Sequence, residues 1–326
     1  MIWIQYIVEF IIGAGLLAWS AGKFIKGGSW VAQYYSVPPL IVGMVLLGFG
    51  TSCPELVVAI FAAAKNNPGI AIGSVIGSNI SNIALVGGMA AILSPFAMKS
   101  SLLSREFPYL ILVVVVVGVM FYIGHLTPID GVILLILLIV YFYIMYRGVK
   151  GAPKNDSLLK ETIDEIPSES MSAKVAVFWL VFGLAVLLVS AEVMVNAASS
   201  MASMLGLSDL VIGLTIVAIG TSLPELAATI ASCLKKETDL AIGNVIGSCI
   251  FNLLAVLAMP ALISPGRVPL SLLNRDYPVL LVVTVLFWLM AVLPPKRNQI
   301  SRLSGWILFL SYFVYLAVIA WQALSA

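Results

Sequence analysis

Charge is scarce in this chain. Asp, Glu, Lys and Arg make up 10% of its 326 residues, against roughly a quarter in soluble domains, while hydrophobic residues reach 61%. That shortage excludes a soluble globular protein and leaves no basic face on which a nucleic acid could be held. The single histidine, His125, lies at the end of an apolar run, so a serine nucleophile inside a membrane would lack its general base. The three cysteines, Cys53, Cys233 and Cys249, have neither the spacing of a zinc site nor the number for a disulfide framework, and read as small apolar fillers. Period-2 alternation is missing from runs such as Ile111–Val117 and Val132–Val140, which excludes a β-barrel.

What remains is a series of apolar stretches of about 20 residues, the length that crosses a ~30 Å hydrocarbon core. Ala18-Trp19-Ser20 looks faintly like a signal-peptidase site, but Lys23 and Lys26 follow the apolar run instead of preceding it, so residues 3–22 read as a retained first span. The spacing predicts ten transmembrane helices near 3–22, 38–64, 70–94, 107–124, 128–146, 175–197, 209–234, 240–263, 277–293 and 303–323. With both termini extracytoplasmic, 14 of the 17 Lys and Arg fall in cytoplasmic loops, leaving only Lys65, Arg267 and Arg275 outside. This predicts a multi-pass protein of the plasma (inner) membrane. Trp3, Trp30, Tyr34, Tyr143, Tyr146 and Trp321 fit as interface anchors.

An internal repeat orders the chain. Shifted by 170 residues, 41–95 aligns with 211–265 without a gap, identical at 23 of 55 positions. GTSCPEL falls on GTSLPEL, and AIGSVIGSNISN on AIGNVIGSCIFN. Five spans per copy is an odd number, so the copies face opposite ways. The fold class is therefore all-α, ten transmembrane helices as two inverted five-helix repeats, residues 1–149 and 175–326. A polar cytoplasmic linker, 150–174, joins them and is too short for a folded domain. Inverted repeats of this kind build secondary transporters, with the binding site near the midplane.

Each repeat carries a glutamate, Glu55 or Glu225, inside an apolar segment with no Lys, Arg or His nearby. A charge at that depth costs about 2.5–3.5 kcal/mol on insertion scales unless a partner or cavity receives it. The partner is either the other glutamate sharing a proton or a cation from solution. Thr51 and Thr221 stand four residues before the acids, as on one helix face. Pro54 and Pro224 cannot donate to the carbonyls of Gly50 and Gly220, so bare carbonyl oxygen is expected at depth. The following span of each half adds Ser78 with Asn82, and Ser248 with Asn252. Glycines four apart, Gly73 with Gly77 and Gly243 with Gly247, let those helices approach others closely. Pooled with Ser52 and Ser222, the set is all oxygen-bearing, as hard cations prefer: Ca²⁺ takes about 6–8 oxygens. Ser52, Ser78, Ser222 and Ser248 could instead satisfy backbone or ease helix packing. Asp130 reads as a helix cap and Glu192 lies outside the site.

The paired GTSxPE and GSxxxN stretches resemble the α-repeats of the cation/calcium antiporter superfamily, and within it the chain is most similar to prokaryotic Na⁺/Ca²⁺ exchangers. The resemblance covers essentially all ten spans. It implies metal ligation by Thr51, Ser52, Glu55, Ser78 and Asn82, by Thr221, Ser222, Glu225, Ser248 and Asn252, and by the backbone carbonyls of Gly48 and Ala218. It also implies outside termini, function as a monomer, no cofactor, Ca²⁺ and Na⁺ as transported ions, and first and sixth spans that move. Asn252 stands where archaeal and K⁺-dependent members carry Asp, which argues against K⁺ coupling. The proton-coupled branch has Asn ahead of the acid where this chain has Thr-Ser. Proton- or potassium-coupled exchange and a passive cation channel are the alternatives.

Overall fold

The computed structural model describes residues 2–34, 50–97, 103–151, 172–292 and 299–325. The second expected span before Gly50, Gly48 included, and most of the linker lie outside these residues. The described chain is predominantly helical: α1 Ile2–Tyr34, α2 Cys53–Ala64, α3 Pro68–Leu93, α4 Leu103–Tyr122, α5 Pro128–Gly151, α6 Ala173–Leu205, α7 Asp209–Thr221, α8 Leu223–Lys235, α9 Thr238–Ile263, α10 Leu272–Val292 and α11 Arg302–Ser325. Among the described residues seven helices are long and apolar enough to cross a membrane, or eight if the bent pair α7–α8 is one span. Helix α2 and residues Glu106–Tyr122 of α4 form shorter apolar helices.

Burial sorts the helices into an inner and an outer set. In α3 and α9, 89% and 83% of the apolar window is buried within the protein, against 22% in α5 and 28% in α6 and α11. Helices as apolar as α5 and α11 can face outward only into lipid, and they present Ile133, Ile136, Ile139, Trp306, Leu310 and Val314 there. The two central helices carry the GSxxxN residues.

Small residues set the closest approaches. A Cβ built on Gly73 would lie 2.7 Å from the Leu210 carbonyl oxygen, and one on Gly77 would lie 2.5 Å from that of Leu214. Gly213 approaches Ile70 just as tightly, so α3 and α7 run parallel and nearly touch backbone to backbone. Helices α1 and α6 run antiparallel: Gly13 faces Met194, Gly27 faces Leu180, and Gly183 faces Phe24. These contacts are reciprocal, since Gly183 and Met194 stand 170 residues beyond Gly13 and Phe24. Helices α4 and α10 are also antiparallel, with the Phe107 and Phe287 rings 5.2 Å apart and Tyr277 donating to the Val114 carbonyl at 3.0 Å.

Two short antiparallel ribbons tie connecting segments together. Phe96–Ala97 (β1) pairs with Gln299–Ile300 (β4), and His125–Leu126 (β2) with Gly266–Arg267 (β3). The exposed His125 is thus a ribbon residue outside the helices. At the start of α5 Asp130 does cap the helix, together with Thr127 at the N-cap position. The Thr127 hydroxyl accepts from Asp130 N at 3.3 Å, while Asp130 Oδ2 accepts from Thr127 N at 2.8 Å. This is a reciprocal capping box, with Pro128 at the first helical position where its missing N–H is harmless.

Candidate functional site

Both glutamates owe their position to a break in the chain. Ser52 precedes α2 with φ −88° and ψ 7°, and Ser222 precedes α8 with φ −82° and ψ 2°. Pro54 and Pro224 then occupy the first turn, where no intrahelical donor is needed. In the second half the break is visible whole: α7 ends at Thr221, α8 starts at Leu223, and the pair is bent by 40°. Thr221 and Glu225 therefore do not share one continuous helix face, as four-residue spacing suggested. They flank a kink, and Glu225 lies in the first turn of α8 with its carboxylate beside the break.

Glu55, Glu225, Ser52, Thr221, Ser78, Asn82 and Asn252 are fully buried, and Ser222 and Ser248 nearly so. Thr51 is half-buried. Ser52 Oγ donates to Glu225 Oε1 at 3.1 Å, crossing from the first half to the second. Thr51 Oγ1 lies 3.1 Å from Ser248 Oγ, and Ser78 Oγ lies 3.3 Å from Thr221 Oγ1. These two contacts are one relationship made twice, because Thr221 and Ser248 stand 170 residues beyond Thr51 and Ser78. Glu55 and Glu225 each lie in the first turn of the helix that follows their break, three residues beyond Ser52 and Ser222. The motif residues of both halves thus meet in one place.

Many oxygens in this cluster are unsatisfied. Among the described residues, Glu55 Oε1 and Oε2, Glu225 Oε2, Ser222 Oγ and both amide atoms of Asn82 and of Asn252 are buried without a hydrogen-bond partner. Buried polar groups are nearly always paired in folded proteins, so such a concentration marks a place built for ions or water. Two carboxylates and a ring of neutral oxygens suit a hard cation. No group of three or more His, Cys, Asp or Glu able to hold a metal occurs among the described residues. The Ala218 carbonyl accepts from Ser222 N at 3.0 Å and from the Thr221 hydroxyl at 3.4 Å.

Three features were not read from the sequence. Asn82 lies within a wide π-helical segment, Ser81–Gly87, and Asn252 begins another, Asn252–Val256. Such segments leave the regular i→i−4 ladder and cluster at functional sites. The third is Asn244. Its Oδ1 accepts from Thr51 Oγ1 at 3.1 Å, while its Nδ2 donates to the Glu225 carbonyl at 3.4 Å and to Thr229 Oγ1 at 3.2 Å. The available signal was that Asn244 precedes Ser248 by one turn and replaces Ser74 in an otherwise conserved AIGxVIGS stretch. Glu192, left outside the site, does lie elsewhere, bonded to Lys65 at 3.1 Å.

The model of the sodium/calcium exchanger protein family matches residues 5–147 and 175–321. The chain belongs to the sodium/calcium exchanger family. It is 41% identical over 306 residues to the putative antiporter CaxA of Alkalimonas amylolytica, covering 94% of this chain and 95% of that one. It is 38% identical over 314 residues to the inner membrane protein YrbG of Escherichia coli, covering 95% of each. The sodium/calcium exchanger MaX1 of Methanosarcina acetivorans is 27% identical over 353 residues, covering 98% of this chain and 99% of that one. A solved structure of the sodium-calcium exchanger NCX_Mj, soaked with 2.5 mM Na⁺ and 0.1 mM Ca²⁺, superimposes with a TM-score of 0.65 at 33% identity, covering 96% of this chain and 98% of that one. The chain is thus a helical multi-pass membrane protein of a cation/calcium antiporter family.

Proposed function

We propose that this protein exchanges Na⁺ for Ca²⁺ across the inner membrane by alternating access, using Na⁺ entry to extrude Ca²⁺. The observation that carries this reading is the meeting of the two matched motifs, through the Ser52–Glu225, Thr51–Ser248 and Ser78–Thr221 contacts, around buried and unpaired oxygens that include those of Glu55 and Glu225. The transported ions would be held by the two carboxylates together with Thr51, Ser52, Ser78, Asn82, Thr221, Ser222, Ser248, Asn252 and the carbonyls of Gly48 and Ala218. No cofactor takes part, and one chain suffices.

Charge arithmetic gives the cycle its direction. With both glutamates ionised the site carries two negative charges, which one Ca²⁺ neutralises. Three Na⁺ leave one positive charge, so each turnover moves net charge, worth ~2.3 kcal/mol per 100 mV. A negative interior then favours Na⁺ entry. Ten spans in two inverted repeats, with both termini outside, supply the framework. Antiparallel α1 and α6 and the reciprocal Gly13–Met194 and Gly183–Phe24 contacts support that symmetry. We assign the rocking movement to α1 and α6, which lie against the motif helices and contribute none of the ligands.

Purified protein in vesicles loaded with Na⁺ should take up ⁴⁵Ca²⁺ only while an outward Na⁺ gradient persists. Uptake that ignores Na⁺ but follows voltage would identify a channel. Uptake that follows a pH or K⁺ gradient would replace Na⁺ as the coupling ion.

A further inference from the structure

The Asn244 side chain, which belongs to neither motif, bonds both, meeting Thr51 of the first and the Glu225 carbonyl of the second, and the direction of its bonds can be deduced. The Glu225 carbonyl has no hydrogen to give, so the group facing it at 3.4 Å must be the amide nitrogen. The amide oxygen is then turned to Thr51, and since it too can only accept, the Thr51 hydroxyl donates its single proton there at 3.1 Å. That settles the neighbouring contact. Having no second proton, Thr51 accepts from Ser248 across their 3.1 Å separation. The protons therefore run from Ser248 to Thr51 to Asn244, and each hydroxyl oxygen keeps a lone pair that no proton covers.

The other half reaches the same polarity by different means. Thr221 Oγ1 donates to the Val217 carbonyl at 3.1 Å, so Ser78 must be the donor to Thr221 across 3.3 Å. The terminal acceptor there is main chain. Ser74, which matches Asn244, donates to its own helix at Ala71 O, 2.9 Å away, and takes no part. The device that receives the Thr51 proton is a side chain, and it can be removed by substitution.

We infer that Asn244 is a positioning residue that draws the Thr51 proton away from the cation pocket, so that Thr51 and Ser248 present lone pairs to the bound ion. The inference rests on the Na⁺/Ca²⁺ reading given above. Without Asn244 the Thr51 proton is free to turn into the pocket, where it opposes a cation. Na⁺ feels this more than Ca²⁺, because two carboxylates cannot serve every Na⁺ and the remainder depend on neutral oxygens.

The test is displacement of bound ⁴⁵Ca²⁺ by Na⁺ at equilibrium, in detergent, with no gradient. Asn244→Leu should raise the Na⁺ concentration that displaces half the Ca²⁺ roughly tenfold. Thr51→Val should weaken Na⁺ by itself, and adding Asn244→Leu to it should weaken Na⁺ no further, because no proton is left to misdirect. Additive losses would make Asn244 a mere brace for the α8 backbone and overturn the inference. If Asn244→Leu is not monodisperse, Asn244→Ser, too short to reach Thr51, is measured instead with the same two outcomes. Wild-type protein whose Ca²⁺ is not displaced by Na⁺ overturns the Na⁺-coupled reading and this inference together. Normal wild-type displacement that Asn244→Leu leaves unchanged overturns the inference alone.

Discussion

Ser52 gives its hydroxyl proton to Glu225 Oε1 at 3.1 Å, while its repeat mate Ser222 has no partner for its own hydroxyl among the described residues. Two serines with nearly the same backbone conformation, each between a threonine and an apolar residue that precedes proline, therefore do different work. A hydrogen bond to a buried carboxylate is worth about 1.5–3 kcal/mol. Ser52→Ala should thus lower apparent Ca²⁺ affinity by more than tenfold and Ser222→Ala by less, as read by Ca²⁺ titration of the purified variants. Equal losses would show that the asymmetry has no energetic weight.

Glu55→Gln and Glu225→Gln each remove one of two negative charges. Either should reduce Na⁺-driven ⁴⁵Ca²⁺ uptake by at least a hundredfold, because a divalent ion then remains uncompensated in a low-dielectric site. Both variants should still elute as monodisperse protein: Glu55 has no side-chain hydrogen bond among the described residues to lose, and in Glu225→Gln the amide oxygen can still accept from Ser52. Uptake that survives in both would remove the carboxylates from the ion path.

The contact between α3 and α7 leaves no room for a side chain at Gly77, where an added Cβ would lie 2.5 Å from Leu214 O. Gly77→Ala should destabilise the protein by about 1–3 kcal/mol, an overpacking penalty, visible as a lowered thermal midpoint in detergent. Gly15→Ala is the control: nothing lies within 4 Å of its added Cβ, and its midpoint should hold or rise.

Lys65, at the end of α2, bonds Glu192 and Asn196 on α6, and Asn67 bonds Ser199 on the same helix at 2.9 Å. These bonds join a motif helix to a helix assigned to move. The ion pair is partly exposed, which limits its worth to about 0–1 kcal/mol. Glu192→Ala should therefore change the rate of Na⁺-driven uptake by no more than about fivefold. A hundredfold loss would place Glu192 among the ligands.

Much of the candidate site was legible because membrane burial makes polar residues conspicuous. Glu55 and Glu225 stand out with no cation near them in sequence, and their repetition at a 170-residue shift excludes chance. The kink at Ser222 followed from Pro224, which cannot donate. At the start of α5 Asp130 is the conspicuous acid and Thr127 the less conspicuous member of the pair, although a capping box needs both. The π-helical segments at Asn82 and Asn252 leave no mark in residue spacing, since a widened turn keeps the same order of residues.

That the chain lives in lipid, repeats, and buries two acids amid oxygen-bearing residues is written in the residues themselves, because each of these is a property of composition or of order along the chain. That Thr51 meets Ser248, that Ser78 meets Thr221, and that Asn244 closes the first of these chains is a matter of packing in three dimensions. Those partners are between 143 and 197 residues apart. Their meeting depends on how two helical halves pack, glycine against backbone, and periodicity within a helix carries no record of that.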